Sequence, residues 1–424
     1  MVAALVPIFF GLLLFGLPIF ASLALAVTLA LYFFGAIDPL VVPMRMFSGM
    51  NNFSLMSIPF FILAAELMRI GGLSERLIGL ARALIGWIPG GLAAATVLSC
   101  LFFGSISGSS PATVIAIGSI MFPALVAAGY NKYFAIGLIT TAGTLGPIVP
   151  PSIALIIYGS VTGSSVGRLF AAGILPALLI GSLLITYCCL YALKKRYPRE
   201  PFPTATEIWV ALKRSAWGMG LPVILLGGIY SGMFTPTESA AAACLYGWFV
   251  GAVVYRSISI KALGEVLRGS GLLSGILLLI TAGASAFSWI LASTGAPTAL
   301  ATQVLSGFES PVAILALFNV IMLVAGMFLD SASAIIVLAP LMQPIAAQVG
   351  VDAVHFGVIT LVNLSVGMLT PPVGLNLFVA MGVSGMTLGE VFKAALPTIV
   401  LMLIALILIT YIPWFSLAIP NFLY

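Results

Sequence analysis

The chain has 424 residues, of which 62% are hydrophobic and 6% charged, and its mean hydropathy is +1.25. Soluble domains carry roughly 25% charged residues, so this composition excludes a soluble fold of such length. A bilayer accepts the chain if its backbone is satisfied within helices or a closed barrel. The apolar runs are long and lack the alternation of barrel strands, which predicts an all-α polytopic membrane protein.

The net charge is +5, and six of the sixteen Lys and Arg residues lie between positions 194 and 214. Basic residues that cluster beside a membrane span mark its cytoplasmic side. We therefore interpret 194–215 as a cytoplasmic link in which 205–215 forms a short surface helix. No aromatic interleaving accompanies the basic residues, so we expect membrane lipid around this protein and no nucleic-acid partner.

Long apolar segments follow one another along the chain. The first is too long for a straight span and is predicted to break at Gly16-Leu17-Pro18. Segment 259–271 is too short to cross and is predicted to lie in the interface. The predicted spans are 4–34, 53–70, 76–90, 132–160, 168–193, 216–233, 238–256, 271–293, 353–383 and 395–418.

Two further apolar segments, 92–126 and 312–348, carry Gly, Ser or Pro near their centres. A straight span gains nothing from such residues, whereas the tip of a re-entrant hairpin can place them in a wet or protein-lined cavity. Each segment is therefore predicted to form two helical arms joined by a polar tip.

An internal repeat relates the two halves. The segment Gly137–Ser152 reads GLITTAGTLGPIVPPS, and Gly357–Gly374 reads GVITLVNLSVGMLTPPVG. Upstream, residues 107–118 align with 329–340, so each half has a hairpin followed by a helix that breaks at Pro-Pro. An inverted arrangement is the commoner transporter design, but a parallel duplication would show the same repeat. The even number of spans between the repeats does not decide between them.

The breaks suggest a chemistry. Pro150-Pro151 and Pro371-Pro372 each remove two backbone donors, so the helix opens and frees carbonyl oxygens that suit a small cation. The helices that start after the breaks and after the hairpin tips present N–H groups and positive dipole ends. Four helix N-termini are therefore predicted to converge on a carboxylate.

Charged residues within spans are functional hypotheses by default. Asp330 at the second tip is the strongest candidate for ion or substrate binding. Glu66 is expected to pair with Arg69 at the membrane edge, and Glu238 fits a capping box. The single His355 suits a structural role better than a proton relay.

Six stretches, taken together, resemble the large membrane subunit of tripartite ATP-independent periplasmic (TRAP) transporters. The stretches are Met56–Phe61, 104–120 (GSISGSSPATVIAIGSI), 145–152 (LGPIVPPS), 231–243 (SGMFTPTESAAAA), 368–376 (MLTPPVGLN) and 411–420 (YIPWFSLAIP). The resemblance implies a sodium-driven elevator with inverted repeats in the bacterial inner membrane. It also implies two partners: a periplasmic substrate-binding protein and a small four-helix membrane subunit, expected here as a separate polypeptide.

The resemblance implies two Na⁺ sites, each between a hairpin tip and the break of the same repeat. The first comprises Ser105, Ser107, Gly146, Val149 and Pro150. The second comprises Gly326, Gly367, Thr370 and Val373. The residues expected to border the organic acid are Ser109, Ser110, Asp330, Ser331 and Asn376.

The same model divides the chain into scaffold and transport parts. The scaffold comprises 1–91 and 168–311, and a C-terminal helix occupies 385–424. The transport parts are 92–167 and 312–384, each a hairpin with its broken helix.

Four functions were weighed. The leading interpretation is a sodium-coupled importer of a C4-dicarboxylate, a sialic acid or a similar carboxylate. A sodium–dicarboxylate symporter without a binding protein would share the hairpins and breaks. An intramembrane enzyme lacks support because His355 and Asp330 supply no catalytic arrangement, and the broken helices suggest occlusion more than an open channel. The sequence contains no P-loop motif, so transport driven directly by ATP is not expected.

Overall fold

The computed structural model describes the chain except for residues 1, 35–37, 198, 296–298, 300–301, 303–306 and 308–309. Regular structure in the described part is helical. The α-helices are α1 Val2–Leu14, α2 Ile19–Phe34, α3 Val41–Met50, α4 Ser57–Ile70, α5 Leu73–Ile85, α6 Gly91–Ser107, α7 Ser110–Ala127, α8 Lys132–Ala142, α9 Leu145–Ile148, α10 Ile153–Thr162, α11 Val166–Lys195, α12 Ala205–Tyr230, α13 Pro236–Phe249, α14 Ile260–Ser293, α15 Pro311–Phe328, α16 Ser331–Gln348, α17 Ala353–Gly367, α18 Leu375–Ser384, α19 Leu388–Tyr411 and α20 Trp414–Leu423. A 3₁₀ turn precedes α4 at Phe53–Met56, and a π-helical turn, Val250–Val254, extends α13.

The first repeat contains the predicted hairpin and broken helix. Helix α6 ends at Ser107 and α7 begins at Ser110, so Gly108 and Ser109 form the tip. Gly108 has φ +58°, a left-handed conformation that favours glycine at a tight reversal. The next span runs through α8 and α9, stops at Ile148 and resumes as α10 with a bend of 43°. The predictions for 92–126 and 132–160 are confirmed.

The second repeat has the same order. Helices α15 and α16 form the hairpin, and Leu329 and Asp330 form its tip. Helix α17 ends at Gly367, and α18 begins after seven residues that include Pro371-Pro372. Both Pro-Pro pairs are joined by a cis peptide bond. The predicted hairpin 312–348 and the broken helix 353–383 are therefore confirmed.

The two repeats interlock. Within each repeat, the first hairpin arm packs on the helix before the break: α6 on α8 and α9, and α15 on α17. The second arm also packs on the helix after the break of the other repeat: α7 on α18, and α16 on α10. Neither hairpin is therefore surrounded by its own repeat alone, and the two repeats form one packed unit.

The remaining helices surround this unit. Helix α14 packs against α2, α3 and α4, and it reaches α16 of the second hairpin. Helix α11 packs against α6 and α20, while α19 packs against α8. Seven described helices are long and apolar enough to cross a membrane, or up to nine if two bent pairs each count as one span. The division into scaffold and transport parts stays a prediction.

Several predicted boundaries were wrong. Residues 205–215 and the predicted span 216–233, as far as Tyr230, form the single helix α12, and residues 260–271 belong to the 34-residue helix α14. In both cases polarity changes along the chain with no proline at the predicted boundary, so the helix continues; Pro222 lies farther along α12 without ending it. The predicted span 395–418 is instead two helices, because Pro413 lacks the N–H that would continue α19.

Near the N-terminus, the predicted break of 4–34 at Gly16-Leu17-Pro18 is confirmed, since α1 ends at Leu14 and α2 begins at Ile19. Helix α3 was not predicted. The predicted spans 53–70 and 76–90 correspond to α4 and α5, which meet at a 74° bend around Gly71 and Gly72.

The close approach of α8 to α19 yields a stability prediction. A Cβ on Gly137 would collide with the carbonyl oxygen of Ala394. We expect Gly137→Val to lower the free energy of unfolding by about 1–3 kcal/mol, because backbone must move to accept the side chain. Thermal unfolding of the detergent-purified protein measures the change. The control is Gly227→Val on α12, where a Cβ meets open space; equal melting temperatures for the two variants would contradict the predicted clash.

Candidate functional site

A cavity of about 400 Å³ lies where the hairpin tips and the helix breaks meet. The first residue of each of four helices lines it: Ser110 of α7, Ile153 of α10, Ser331 of α16 and Leu375 of α18. The N-terminal end of a helix carries a positive partial charge and unpaired N–H groups. The predicted convergence of four helix N-termini is confirmed, and the arrangement suits an anion.

The four N-termini are not equivalent. Asp330 caps α16 by accepting from the backbone N–H groups of Ala332 (3.0 Å) and Ser333 (3.3 Å). The Ser152 hydroxyl caps α10 by accepting from Leu155 N–H at 3.2 Å. The cap positions of α7 and α18 make no such side-chain bond. At α18 the N–H groups of Asn376 and Leu377 already donate to Met368 O (3.2 Å) and Gly374 O (2.7 Å), and at α7 Pro111 has no N–H. Among the described residues the N–H groups of Ser110 and Leu375, the first of each helix, have no partner and are left for a ligand.

The first hairpin tip rests on the first break. Ser107 Oγ lies 3.0 Å from Thr113 Oγ1, and the Thr113 hydroxyl donates to Ser109 O at 2.8 Å. A Cβ on Gly146 would lie 2.6 Å from both Ser109 O and Thr113 Oγ1. The structure therefore brings Ser107 and Gly146 of the predicted Na⁺ site together at the tip.

The other members of the first predicted set lie around this contact. Ser105 Oγ donates to Phe102 O of its own helix at 2.7 Å. Val149 closes α9 by donating its N–H to Leu145 O at 2.9 Å, and Pro150 is buried directly after it.

The second predicted set also gathers at its hairpin. Gly326 of α15 meets Gly367 of α17 so closely that a Cβ on Gly367 would lie 2.6 Å from Gly326 Cα. Val373 donates its N–H to Met327 O at 3.2 Å, which ties the break to the end of α15. The Thr370 hydroxyl donates to Val366 O at 3.3 Å.

One residue of this arrangement was missed. Gly104 of α6 crosses Gly146 as Gly326 crosses Gly367, and its Cβ would lie 2.9 Å from Gly146 Cα. The spacing that aligns residues 107–118 with 329–340 also aligns Gly104 with Gly326. The repeat therefore contained the signal for a second pair of crossing glycines.

Of the predicted substrate residues, Ser109, Ser110, Asp330 and Ser331 line the cavity. Asn376 is fully buried behind that wall. Its Nδ2 donates to Ser110 Oγ at 2.5 Å and to Thr140 O at 3.4 Å. Asn376 therefore reaches the cavity through Ser110, as a link from α18 to the tip of the other repeat.

Two other polar predictions are confirmed away from the cavity. Glu238 completes the capping box at the start of α13. His355 is buried, with Nδ1 2.5 Å from Ser416 Oγ and Nε2 3.3 Å from Thr410 O. His355 thus joins α17 to the C-terminal helices, as a structural histidine would.

The Glu66–Arg69 pair is confirmed, with Nη2 2.8 Å from Oε2. Both residues line the cavity, as do Phe103 and four residues of α14. The pair was predicted at the membrane edge; its place in the cavity follows from the packing of α4 against α6 and α14, which the local sequence pattern does not encode. The α14 residues are Leu273, Ile276, Leu277 and Ile280.

The family model described as "Tripartite ATP-independent periplasmic transporter, DctM component" matches residues 6–415. The chain belongs to this family. Two similar TRAP proteins are both named C4-dicarboxylate TRAP transporter large permease protein DctM. The one from Pseudomonas aeruginosa is 42% identical and aligns over 95% of this chain and 94% of its own length. The one from Rhodobacter capsulatus is 40% identical and aligns over 98% of this chain and 99% of its own length.

The fold resembles that of a solved transporter. The crystal structure of the Alcanivorax borkumensis YdaH transporter, described as having an unusual topology, aligns with a TM-score of 0.65. The alignment covers 95% of this TRAP chain and 98% of the YdaH chain at 15% sequence identity. Identity at this level supports the likeness of fold alone. The chain is thus a multi-pass membrane protein of the TRAP large-permease family.

The bond between Asn376 and Ser110 yields a coupling prediction. We expect Ser110→Ala and Asn376→Ala to be non-additive by about 0.5–1.5 kcal/mol in the free energy of unfolding, because both remove one buried hydrogen bond. Denaturation in mixed micelles of wild type, both single variants and the double variant measures the coupling. Ser182→Ala combined with Asn376→Ala is the additive control, since Ser182 bonds to its own helix on α11. Additivity in the Ser110 cycle would contradict the link.

Proposed function

We propose that this chain is the membrane subunit through which a sodium-coupled secondary transporter imports an organic acid into a bacterial cell. The acid arrives on a periplasmic substrate-binding protein, and a small four-helix membrane subunit completes the complex in the inner membrane. The hairpins and broken helices carry the acid across by an elevator movement. The observation that carries the proposal is the convergence of four helix N-termini on one cavity.

The net charge of the side chains that line the cavity favours binding of a cation together with the acid. Glu66, Arg69 and Asp330 line it, which gives a formal sum of one negative charge before the acid enters. A carboxylate entering this cavity is repelled by the two carboxylates, and bound cations offset that repulsion. Na⁺ at the two sites therefore makes acid binding more favourable and couples the two ligands.

The two glycine crossings support main-chain ligands for Na⁺. Where Gly104 meets Gly146 and Gly326 meets Gly367, backbone approaches backbone without intervening side chains. Carbonyl oxygens are hard ligands, and unwound helix segments supply such ligands to Na⁺ in transporters. The proposed sites are the two sets already described, with Ser107 and Thr370 offering hydroxyl oxygens as well.

The two named relatives favour a C4-dicarboxylate as the acid, with a sialic acid or a similar carboxylate within the same class. Membership of the tripartite family favours delivery by a binding protein. A sodium–dicarboxylate symporter that works without a binding protein is the second candidate, since hairpins and breaks alone do not require a delivery protein.

Dependence on the binding protein separates the two candidates. Vesicles that contain both membrane subunits are expected to accumulate succinate only when the purified binding protein and an inward sodium gradient are both present. Omitting either is expected to reduce uptake to the rate of protein-free vesicles. Equal uptake without the binding protein would favour the symporter, and equal uptake without sodium would contradict the coupling.

The glycine crossings yield a second test of coupling. We expect Gly146→Leu and Gly367→Leu to abolish sodium-dependent uptake, because the leucine separates the hairpin arm from the break. Gel filtration and thermal unfolding show whether each variant folds. The control is Gly382→Leu on α18, where a Cβ meets open space. Normal uptake by both crossing variants would contradict the proposed ion sites.

A milder variant tests the second site without a steric clash. Thr370→Ala is expected to raise the sodium concentration for half-maximal uptake about two- to tenfold, the effect of one lost polar contact. Thr294→Ala is the matched control, because its hydroxyl also bonds to a carbonyl of its own helix. An unchanged sodium dependence in Thr370→Ala would remove this hydroxyl from the site.

A further inference from the structure

The cavity has one wall that belongs to neither repeat. Glu66 and Arg69 project into it from the last turns of α4, opposite the hairpin tips. Among the described residues that line the cavity, Arg69 is the sole basic side chain. A basic group in an anion cavity is a direct partner for a carboxylate.

The ion pair between them is incomplete. Arg69 Nε (2.9 Å) and Nη2 (2.8 Å) both reach the same oxygen of Glu66, Oε2. Within the described residues, Arg69 Nη1 and Glu66 Oε1 have no bonding partner. A guanidinium pairs best with two carboxylate oxygens at once through parallel N–H bonds. Glu66 thus holds Arg69 in a geometry that a second carboxylate could improve.

The pair is also accessible. The side chain of Arg69 is 47% exposed and that of Glu66 29% exposed. Ion pairs of such exposure contribute little to stability, so the exchange of one carboxylate for another has a low cost. Asp330, the other acidic residue of the cavity, is engaged elsewhere: its Oδ2 accepts from the N–H groups of Ala332 and Ser333, and its Oδ1 accepts from the Ser333 hydroxyl.

We propose that Arg69 binds a carboxylate of the transported acid and that Glu66 occupies the guanidinium until the acid arrives. This inference rests on the proposed function and deepens it by naming the residue that recognises the charged group. The acid is then held from two sides: by the helix N-termini of the hairpins and breaks, and by a guanidinium on α4.

The two residues have opposite effects on affinity in this scheme. Removing the arginine charge removes a ligand of the acid, whereas neutralising Glu66 removes the competitor. A purely structural ion pair would behave differently, because breaking it from either side would weaken the cavity in the same direction. Opposite effects on affinity therefore indicate that Arg69 binds the acid, whereas effects in the same direction indicate a structural ion pair.

Affinity is measured with succinate on the purified complex of both membrane subunits in sodium-containing buffer. A ligand that binds only the folded state raises the free energy of unfolding by RT ln(1 + [L]/Kd), so the rise of the unfolding temperature across a succinate titration gives the dissociation constant. We expect Arg69→Gln to raise this constant about tenfold or more, which corresponds to about 1.4 kcal/mol per factor of ten. Arg69→Lys should restore part of the affinity, and Glu66→Gln should lower the constant severalfold.

The matched control is Arg82→Gln. Arg82 pairs with Glu200 at 2.6 Å, with side-chain exposures of 50% and 37%, and neither residue lines the cavity. We expect its succinate constant to equal that of wild type. Equal constants for wild type and Arg69→Gln, or weaker binding in both Arg69→Gln and Glu66→Gln, would overturn the assignment. If wild type is not stabilised by succinate and its vesicles take up none, the proposed C4-dicarboxylate cargo is overturned, and with it the assignment of Arg69 as its ligand.

Discussion

Backbone polar groups inside a membrane need partners within the protein, and this constraint shapes the described structure. A helix that breaks in hydrocarbon exposes N–H and C=O groups that lipid cannot satisfy. Here each break is covered by protein: the first by the tip around Gly108, and the second through Met327 O, which accepts from Val373 and Gly374. Without the hairpins, the backbone groups at the breaks would have no partners within the membrane.

Covering the breaks joins the repeats to each other. Because α7 packs on α18 and α16 packs on α10, a displacement of one hairpin disturbs the break of the other repeat. The buried bond from Asn376 to Ser110 adds a polar connection along the same interface. The proposed elevator movement would require the two repeats to move as one body, and this cross-packing is a mechanical connection of the kind that such a movement would need.

Much of this core was predictable from sequence, because adjacent proline pairs and a serine-rich tip recur at matching places in the repeat, whereas the prolines of other helices, such as Pro176 and Pro222, occur singly. Pro150-Pro151, Pro371-Pro372 and the Ser-rich first tip interrupt apolar runs where a straight helix gains nothing. The continuity of α12 and α14 was not predictable from hydropathy, since a helix can leave the membrane without any change in its backbone. The wall formed by Arg69 and α14 depends on which distant helices pack together, and the local sequence pattern does not determine this packing.

The unequal caps of the four helices remove the equivalence that the duplication would otherwise create. At α16 a full negative charge stands at the helix start, while α7 begins with no side chain bonded to its first amides. In the proposed transport, an acid with one charged and one uncharged end would be attracted more strongly by the start of α7 than by the start of α16. One aspartate thus makes two otherwise similar halves of the cavity electrostatically different, and in the proposed transport this difference would favour one orientation of the bound acid.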